Sequence, residues 1–158
     1  MLRNGLKCIK VEEIEVFFGE FRHNIDTKGR LSIPAKMRNQ CQEKVFVTRG
    51  NDGCLALYTA EGWENYYKDL QSLSMKKKNN RTFIRLVTSR VSECEFDKLG
   101  RINIPLVLRQ EGHLEKECVV VGVGDHVEIW NAEAWDQFYD ENKDDFDDIS
   151  EEIDEIEL

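Results

Sequence analysis

No apolar run in these 158 residues approaches the ~18 needed for a membrane-spanning helix, and no basic-then-apolar leader with a cleavage site appears. The expected protein is therefore soluble, unexported and cytoplasmic, without a membrane partner. Five cysteines (Cys8, Cys41, Cys54, Cys94, Cys118) are odd in number and include no Cys-x-x-Cys pair, so reduced thiols are expected rather than a disulfide framework. Histidine is scarce, and His23 has no partner histidine at metal-ligand spacing. It aligns with Cys94 on an apolar strand face and is expected to be a half-buried core residue. Gly122-Val123-Gly124 lacks the third glycine and the parallel-sheet context of a dinucleotide site, so it is assigned to a hairpin turn. With no nucleophile–base pair, metal set or phosphate loop, no enzymatic activity, catalytic residue, cofactor, metal site or small-molecule substrate is expected.

What the chain does contain is a stretch written twice. Residues 26–34, Asp-Thr-Lys-Gly-Arg-Leu-Ser-Ile-Pro, return 71 residues later as 97–105, Asp-Lys-Leu-Gly-Arg-Ile-Asn-Ile-Pro, with six of nine positions identical or a Leu/Ile exchange. The match extends through Arg38 and Arg109. It reappears at an offset of 72, where residues 57–63 answer residues 129–135. An internal duplication is the first organising fact.

Each copy has the chemistry of a hairpin tip, a tight turn closing two strands expected to pair with each other. An Asp at the first position accepts a hydrogen bond from the backbone two residues on, and a Gly three positions later supplies a left-handed residue. Asp26 with Gly29, and Asp97 with Gly100, fill these roles. The turn has no need of the Arg that follows. Arg30 and Arg101 stand where the chain re-enters a strand, each four residues after an Asp that can hold its guanidinium in one orientation. Such a planar fork can bind a phosphate or the edge of a guanine bidentately. A surface ion pair decorating a turn is the plain alternative for one copy, and duplication weakens it.

Around these turns the pattern is strand, turn, strand, short helix, then two more strands and a longer helix. Strands are expected at 17–26, 31–33, 44–48 and 55–58, and again at 92–96, 102–104, 118–123 and 127–130. Pro34 and Pro105 are placed to open short helices, to Gln40 and through Arg109. Thr59 and Asn131 are helix caps, the first opening a helix with Trp63, Tyr66, Tyr67 and Leu70 on an apolar, core-facing stripe. Between the copies Lys76, Lys77, Lys78, Arg81, Arg85 and Arg90 give six positive charges with no acid among them, alongside Phe83, Leu86 and Val87.

The net charge of −9 is a property of the tail: residues 136–158 carry twelve acids and one base, a net of −11, which leaves +2 on the other 135 residues. Phe146, Ile149, Ile153 and Ile156 recur at three- and four-residue spacing, so the tail can form an amphipathic helix whose apolar edge needs a surface; a disordered acidic tail is the alternative. The expected organisation is an extension at 1–16, a first half at 20–62, a helical connector with the basic stretch at 63–90, a second half at 91–134 and the acidic helix or tail at 135–158. Residues 1–15 are expected to be poorly ordered. Val16 is a candidate GUG start, preceded by codons able to spell a purine-rich ribosome-binding sequence.

The paired Asp-x-x-x-Arg motifs, the doubled Gly-Arg-(Leu/Ile)-x-Ile-Pro, the opening Phe17-Phe18-Gly19-Glu20 and the closing Glu128-Ile129-Trp130 together resemble the MraZ family of bacterial regulators of the division and cell-wall gene cluster, from about Phe17 to the end. The resemblance implies an α+β fold of two tandem AbrB-like swapped-hairpin β-barrel half-domains with pseudo-two-fold symmetry. It also implies homo-oligomeric rings, octamer or dodecamer, and sequence-specific binding of double-stranded DNA at tandem promoter repeats, in a nucleoid-associated protein. The family's DNA-contacting arginines map onto Arg30 and Arg101. Lys28 matches its basic residue inside the first motif; the second copy has Lys98 and Leu99 there, so its inner contact is expected to be shifted. The competing function is an AbrB-type antitoxin or protein-interaction module whose acidic tail grips a partner. Antitoxins of that type usually carry one half, whereas this chain fuses two.

Overall fold

Eight short strands and six helices alternate along the computed structural model, which describes residues 16–155. The expected extension at residues 1–15 and the end of the tail, including Ile156, lie outside the described residues. The first repeat supplies β1 (Phe17–Asn24), β2 (Arg30–Ser32), α1 (Ala35–Arg38), β3 (Lys44–Arg49), β4 (Leu55–Thr59) and α2 (Ala60–Gln71). After α3 (Lys78–Thr88), the second repeat supplies β5 (Ser92–Glu95), β6 (Arg101–Asn103), α4 (Leu106–Glu111), β7 (Glu117–Gly124), β8 (Val127–Asn131) and α5 (Ala132–Asn142). A 3-10 turn at Lys143–Asp145 leads to α6 (Phe146–Glu152). No helix among the described residues is long and apolar enough to cross a membrane.

The duplication becomes symmetry. Six strands pair antiparallel in the order β1-β7-β8-β4-β3-β5, and exchanging each strand for its repeat counterpart reads the same order backwards. The pseudo-two-fold axis passes between β4 and β8, where Leu57 pairs with Val127 and Leu55 with Ile129. It passes again through a separate two-stranded ribbon in which β2 pairs with its own copy β6, Leu31 opposite Ile102. Strand β1 therefore runs against β7 of the second repeat, and β5 against β3 of the first. The turn at residues 26–30 is present, but the strands on either side of it separate to partners in the other repeat. A three-residue strand alone buries little; pairing with its twin puts Leu31 and Ile102 back to back, both fully buried together with Ile33 and Ile104. Each such burial is worth ~1.5–3 kcal/mol.

Outside the sheet the repeats build matching aromatic clusters. Tyr58, Trp63, Tyr66 and Tyr67 make four ring contacts, and their counterparts at an offset of 72, Trp130, Trp135, Phe138 and Tyr139, make the same four. Thr59 and Asn131 cap the helices beneath them, accepting from Gly62 N at 2.9 Å and Ala134 N at 3.0 Å. The stripe expected to be core is graded: Leu70 is buried, Trp63 and Tyr66 are half-buried, and Tyr67 is exposed.

Two local expectations are corrected. His23 is exposed rather than half-buried, because β1 is an edge strand whose buried positions are Phe17 and, just past its end, Ile25. Gly122 is not a turn residue. It lies within β7, paired with Gly19 on one side and Val127 on the other, and the backbone of Phe17 and Phe18 occupies the space a Cβ would need. The hairpin turn starts later, with Gly124 at φ 96° and Val123 N donating to His126 O at 3.0 Å. Cys41, Cys54, Cys94 and Cys118 form no disulfide, and burial pushes the Cys54 thiol up to about 12 and the Cys118 thiol to about 11. These buried thiols are protonated and unreactive at neutral pH.

Candidate nucleic-acid interface

The two turns are built alike, bond for bond. In the first, Gly29 N donates to Asp26 O at 3.0 Å and Asp26 N to Arg30 O at 3.0 Å, closing the loop. The Asp26 carboxylate takes the rest: Oδ1 accepts from Lys28 N (3.0 Å) and Arg30 N (2.8 Å), while Oδ2 accepts from Arg30 Nε (2.6 Å). In the second, Asp97 Oδ1 accepts from Leu99 N and Arg101 N, both at 2.9 Å, and Oδ2 from Arg101 Nε at 2.8 Å. The backbone N–H of Arg30, and likewise of Arg101, is the main cause holding each carboxyl below its ordinary range, with the guanidinium adding to it. Both carboxylates are charged at neutral pH, and each fixes its arginine through Nε alone. Nη1 and Nη2 of Arg30 and Arg101 have no hydrogen-bond partner among the described residues.

The ribbon sets the two arginines on one surface. Side chains alternate along a strand, and residues facing one another across a ladder share a side. Because Arg30 pairs with Asn103 and Ser32 with Arg101, these four form one face, and Leu31 and Ile102 form the buried reverse. Arg30 and Arg101 occupy opposite corners as diagonal neighbours, roughly 7–8 Å apart at Cα. Their side chains are 37% and 26% exposed. Lys28 and Lys98 lie exposed on the turns, but Leu99 occupies the position equivalent to Lys28 and is 71% exposed. The basic side chain of the second turn is thus displaced by one residue.

Arg38 and Arg109 are part of the repeat, and nothing in the sequence alone gives them a role. Each reaches across the axis, Arg109 to Gly29 and Arg38 to Gly100. Their signal in the sequence is an Arg eight residues after the first in both copies. The basic stretch between the repeats forms α3, held to the sheet by buried Val87, whose carbonyl accepts from Thr48 Oγ1 at 2.7 Å. Phe83 and Leu86 remain exposed. Among the described residues, no group of three or more His, Cys, Asp or Glu side chains is placed to hold a metal ion.

A chain of two α+β repeats interleaved about a pseudo-two-fold axis, each repeat carrying one Asp-braced arginine, defines an internally duplicated class of protein. The family described as "MraZ protein, putative antitoxin-like" matches it twice, over residues 16–86 and 89–155. The chain belongs to the MraZ family. Similar proteins include the transcriptional regulator MraZ of Ligilactobacillus salivarius, 50% identical over 143 residues, and that of Lactobacillus helveticus, 48% identical over 143 residues. Each alignment covers 90% of this chain and the whole of the relative. The protein of the same name from Limosilactobacillus reuteri is 48% identical over 138 residues, covering 87% of this chain and 97% of its own.

Proposed function

We propose that the protein is a sequence-specific DNA-binding transcriptional regulator. The observation carrying this reading is the ribbon face on which Arg30 and Arg101 are each held through Nε by an Asp, leaving both terminal nitrogens for a ligand. A two-stranded ribbon fits the major groove, and an oriented guanidinium matches O6 and N7 of guanine. Arg30 and Arg101 read bases, Asp26 and Asp97 orient them, Gly29 and Gly100 shape the turns, and Lys28 and Lys98 contact phosphates. Relatives named as transcriptional regulators support the same reading.

The target is the DNA upstream of the division and cell-wall cluster that includes the protein's own gene, and the site of action is the cytoplasmic nucleoid. The two halves are swapped-hairpin units of the AbrB type, a reading supported by the palindromic strand order. One chain offers two base-reading arginines worth roughly 1–3 kcal/mol each. Association alone costs about 4 kcal/mol or more, so specific binding requires several subunits acting together. A ring of eight or twelve copies reading tandem boxes meets that requirement.

Fluorescence anisotropy on the DNA upstream of the gene, in excess competitor DNA, tests the proposal. Adding about ten base pairs between boxes should preserve tight binding, whereas adding about five puts neighbouring boxes on opposite faces of the duplex and should weaken it sharply. Equal affinity for upstream and unrelated DNA removes the regulator reading; equal affinity for all spacings removes the ring.

A further inference from the structure

The glycine of each turn is covered by an arginine of the other repeat. A Cβ placed on Gly29 would fall 2.8 Å from Arg109 Nε and 2.9 Å from its Cζ, and one placed on Gly100 would fall 2.7 Å from Arg38 Nε. Both glycines have positive φ, 90° and 77°, so they are required on two separate grounds. The contact belongs to a closed three-residue unit. Ile104 N donates to Gly29 O at 2.8 Å, while Ile104 O accepts from Arg109 Nε at 2.9 Å. Across the axis, Ile33 N donates to Gly100 O at 3.1 Å and Ile33 O accepts from Arg38 Nη1 at 2.7 Å.

We infer that Arg38 and Arg109 are positioning residues that act in trans between the repeats: Arg109 sets the turn carrying Arg30, and Arg38 sets the turn carrying Arg101. Each guanidinium is half-buried, spends a donor on a carbonyl of its own repeat and lies against the opposite glycine. It thereby fixes the distance from α1 or α4 to the other repeat's turn. The consequence for binding rests on the DNA-reading proposal: the two base-reading arginines are presented at one fixed spacing rather than as independent fingers.

The test separates the two ideas, because its first arm needs no DNA. Amide hydrogen exchange is measured on the full chain with Arg109→Ala and with Arg38→Ala. Arg109→Ala is expected to speed exchange at least tenfold at residues 28–30 with little change at 99–101, and Arg38→Ala to do the reverse. Loosening of each variant's own turn, of both turns equally, or of neither, overturns the inference. Should an alanine variant unfold, Arg109→Lys and Arg38→Lys carry the same crossed expectation, since lysine keeps the charge and loses the planar fork.

The second arm measures DNA binding against salt. A positioning role predicts that Arg109→Lys weakens specific binding about as much as Arg109→Ala and leaves the slope of log affinity against log salt unchanged. A phosphate contact would instead be rescued by lysine, and alanine would flatten the slope by about one; that result overturns the positioning role. If no variant or parent discriminates upstream DNA, the regulator reading fails while the crossed exchange pattern still decides this one.

Discussion

Leu31 and Ile102, one residue after Arg30 and Arg101, face each other across the ribbon with no exposed surface, and the pseudo-two-fold axis runs between them. The core contact that joins the repeats is thus adjacent to the surface proposed to read DNA. Truncating Ile102 to Ala leaves a cavity at this junction, and such losses cost ~2–5 kcal/mol. Thermal or urea unfolding should show that cost, and the Leu31→Ala, Ile102→Ala double variant should depart from additivity because the two side chains share one cavity. A cost below about 1 kcal/mol for either single variant would mean that the ribbon is not a structural joint.

Arg30→Ala and Arg101→Ala should behave differently from the core variants. Neither side chain is buried, so the unfolding midpoint should stay close to that of the parent. Specific DNA binding should fall about 10- to 100-fold for each, the worth of one base-reading contact. Anisotropy paired with a melting curve separates the effects. Retained affinity in a folded Arg30→Ala variant would take the first turn out of the contact set.

Lys28 has no counterpart charge at Leu99, which makes the two turns unequal in their expected dependence on salt. If Lys28 lies on a phosphate, Lys28→Ala lowers the slope of log affinity against log salt by about one unit and leaves base preference intact. Leu99→Lys should raise that slope by a similar amount. An unchanged slope in both variants would exclude phosphate contact at this turn position.

A pH dependence follows from His126. Burial pulls its pKa down, but the Glu128 carboxylate 3.6 Å from Nε2 and the Asp125 carboxylate hydrogen-bonded to Nδ1 at 2.8 Å outweigh that and leave it raised. A group with a raised folded value contributes stability fully below its unfolded value, about 6.5, and loses the contribution as pH rises through the folded value. Thermal stability should therefore decline on going from about pH 6 into the alkaline range, and His126→Gln should flatten that part of the profile. Asp26 and Asp97 act in the opposite direction: their contribution is present above about pH 4 and is lost only in stronger acid.

Much of this was legible in the sequence because turns and caps are local chemistry. Asp26, Gly29, Thr59 and Asn131 announce their hydrogen bonds from residue type and spacing alone. The duplication at offsets of 71 and 72 foretold the matching turns, whereas the aromatic stripe was expected only after Thr59, and its counterpart after Asn131 emerged in the structure. Which strand pairs with which was not local, since alternation in β1 says that it has two faces and nothing about β7. His23 was misplaced for the same reason: an edge position is a property of the sheet order. Arg38 and Arg109 were visible as a repeated Arg, but their role was not, because their partners, Gly100 and Gly29, lie in the other repeat and residue spacing does not reveal a contact across the axis.

The acidic tail supplies the last prediction. The expected helix is present in part as α6, Phe146–Glu152, with Ile153 just beyond its end. Its apolar edge is uncovered: Phe146 is 71% exposed, Ile149 45% and Ile153 44%. Within the same chain, α3 has no acid and leaves Phe83 and Leu86 exposed beside Lys78, Arg81 and Arg85. A helix with acids around an apolar edge suits a surface with the opposite charges around its own. If the tail of one copy lies on α3 of the next, that contact is head-to-tail, the kind that closes into rings. Removing residues 144–158 should then shrink the assembly in light scattering, and Arg81→Glu with Arg85→Glu should do the same in the full chain. If the tail is free, the truncated protein keeps its size and, having lost a run of carboxylates, binds nonspecific DNA more tightly. That second outcome would exclude the tail from the ring contact, and no change in either measurement would deny it both roles.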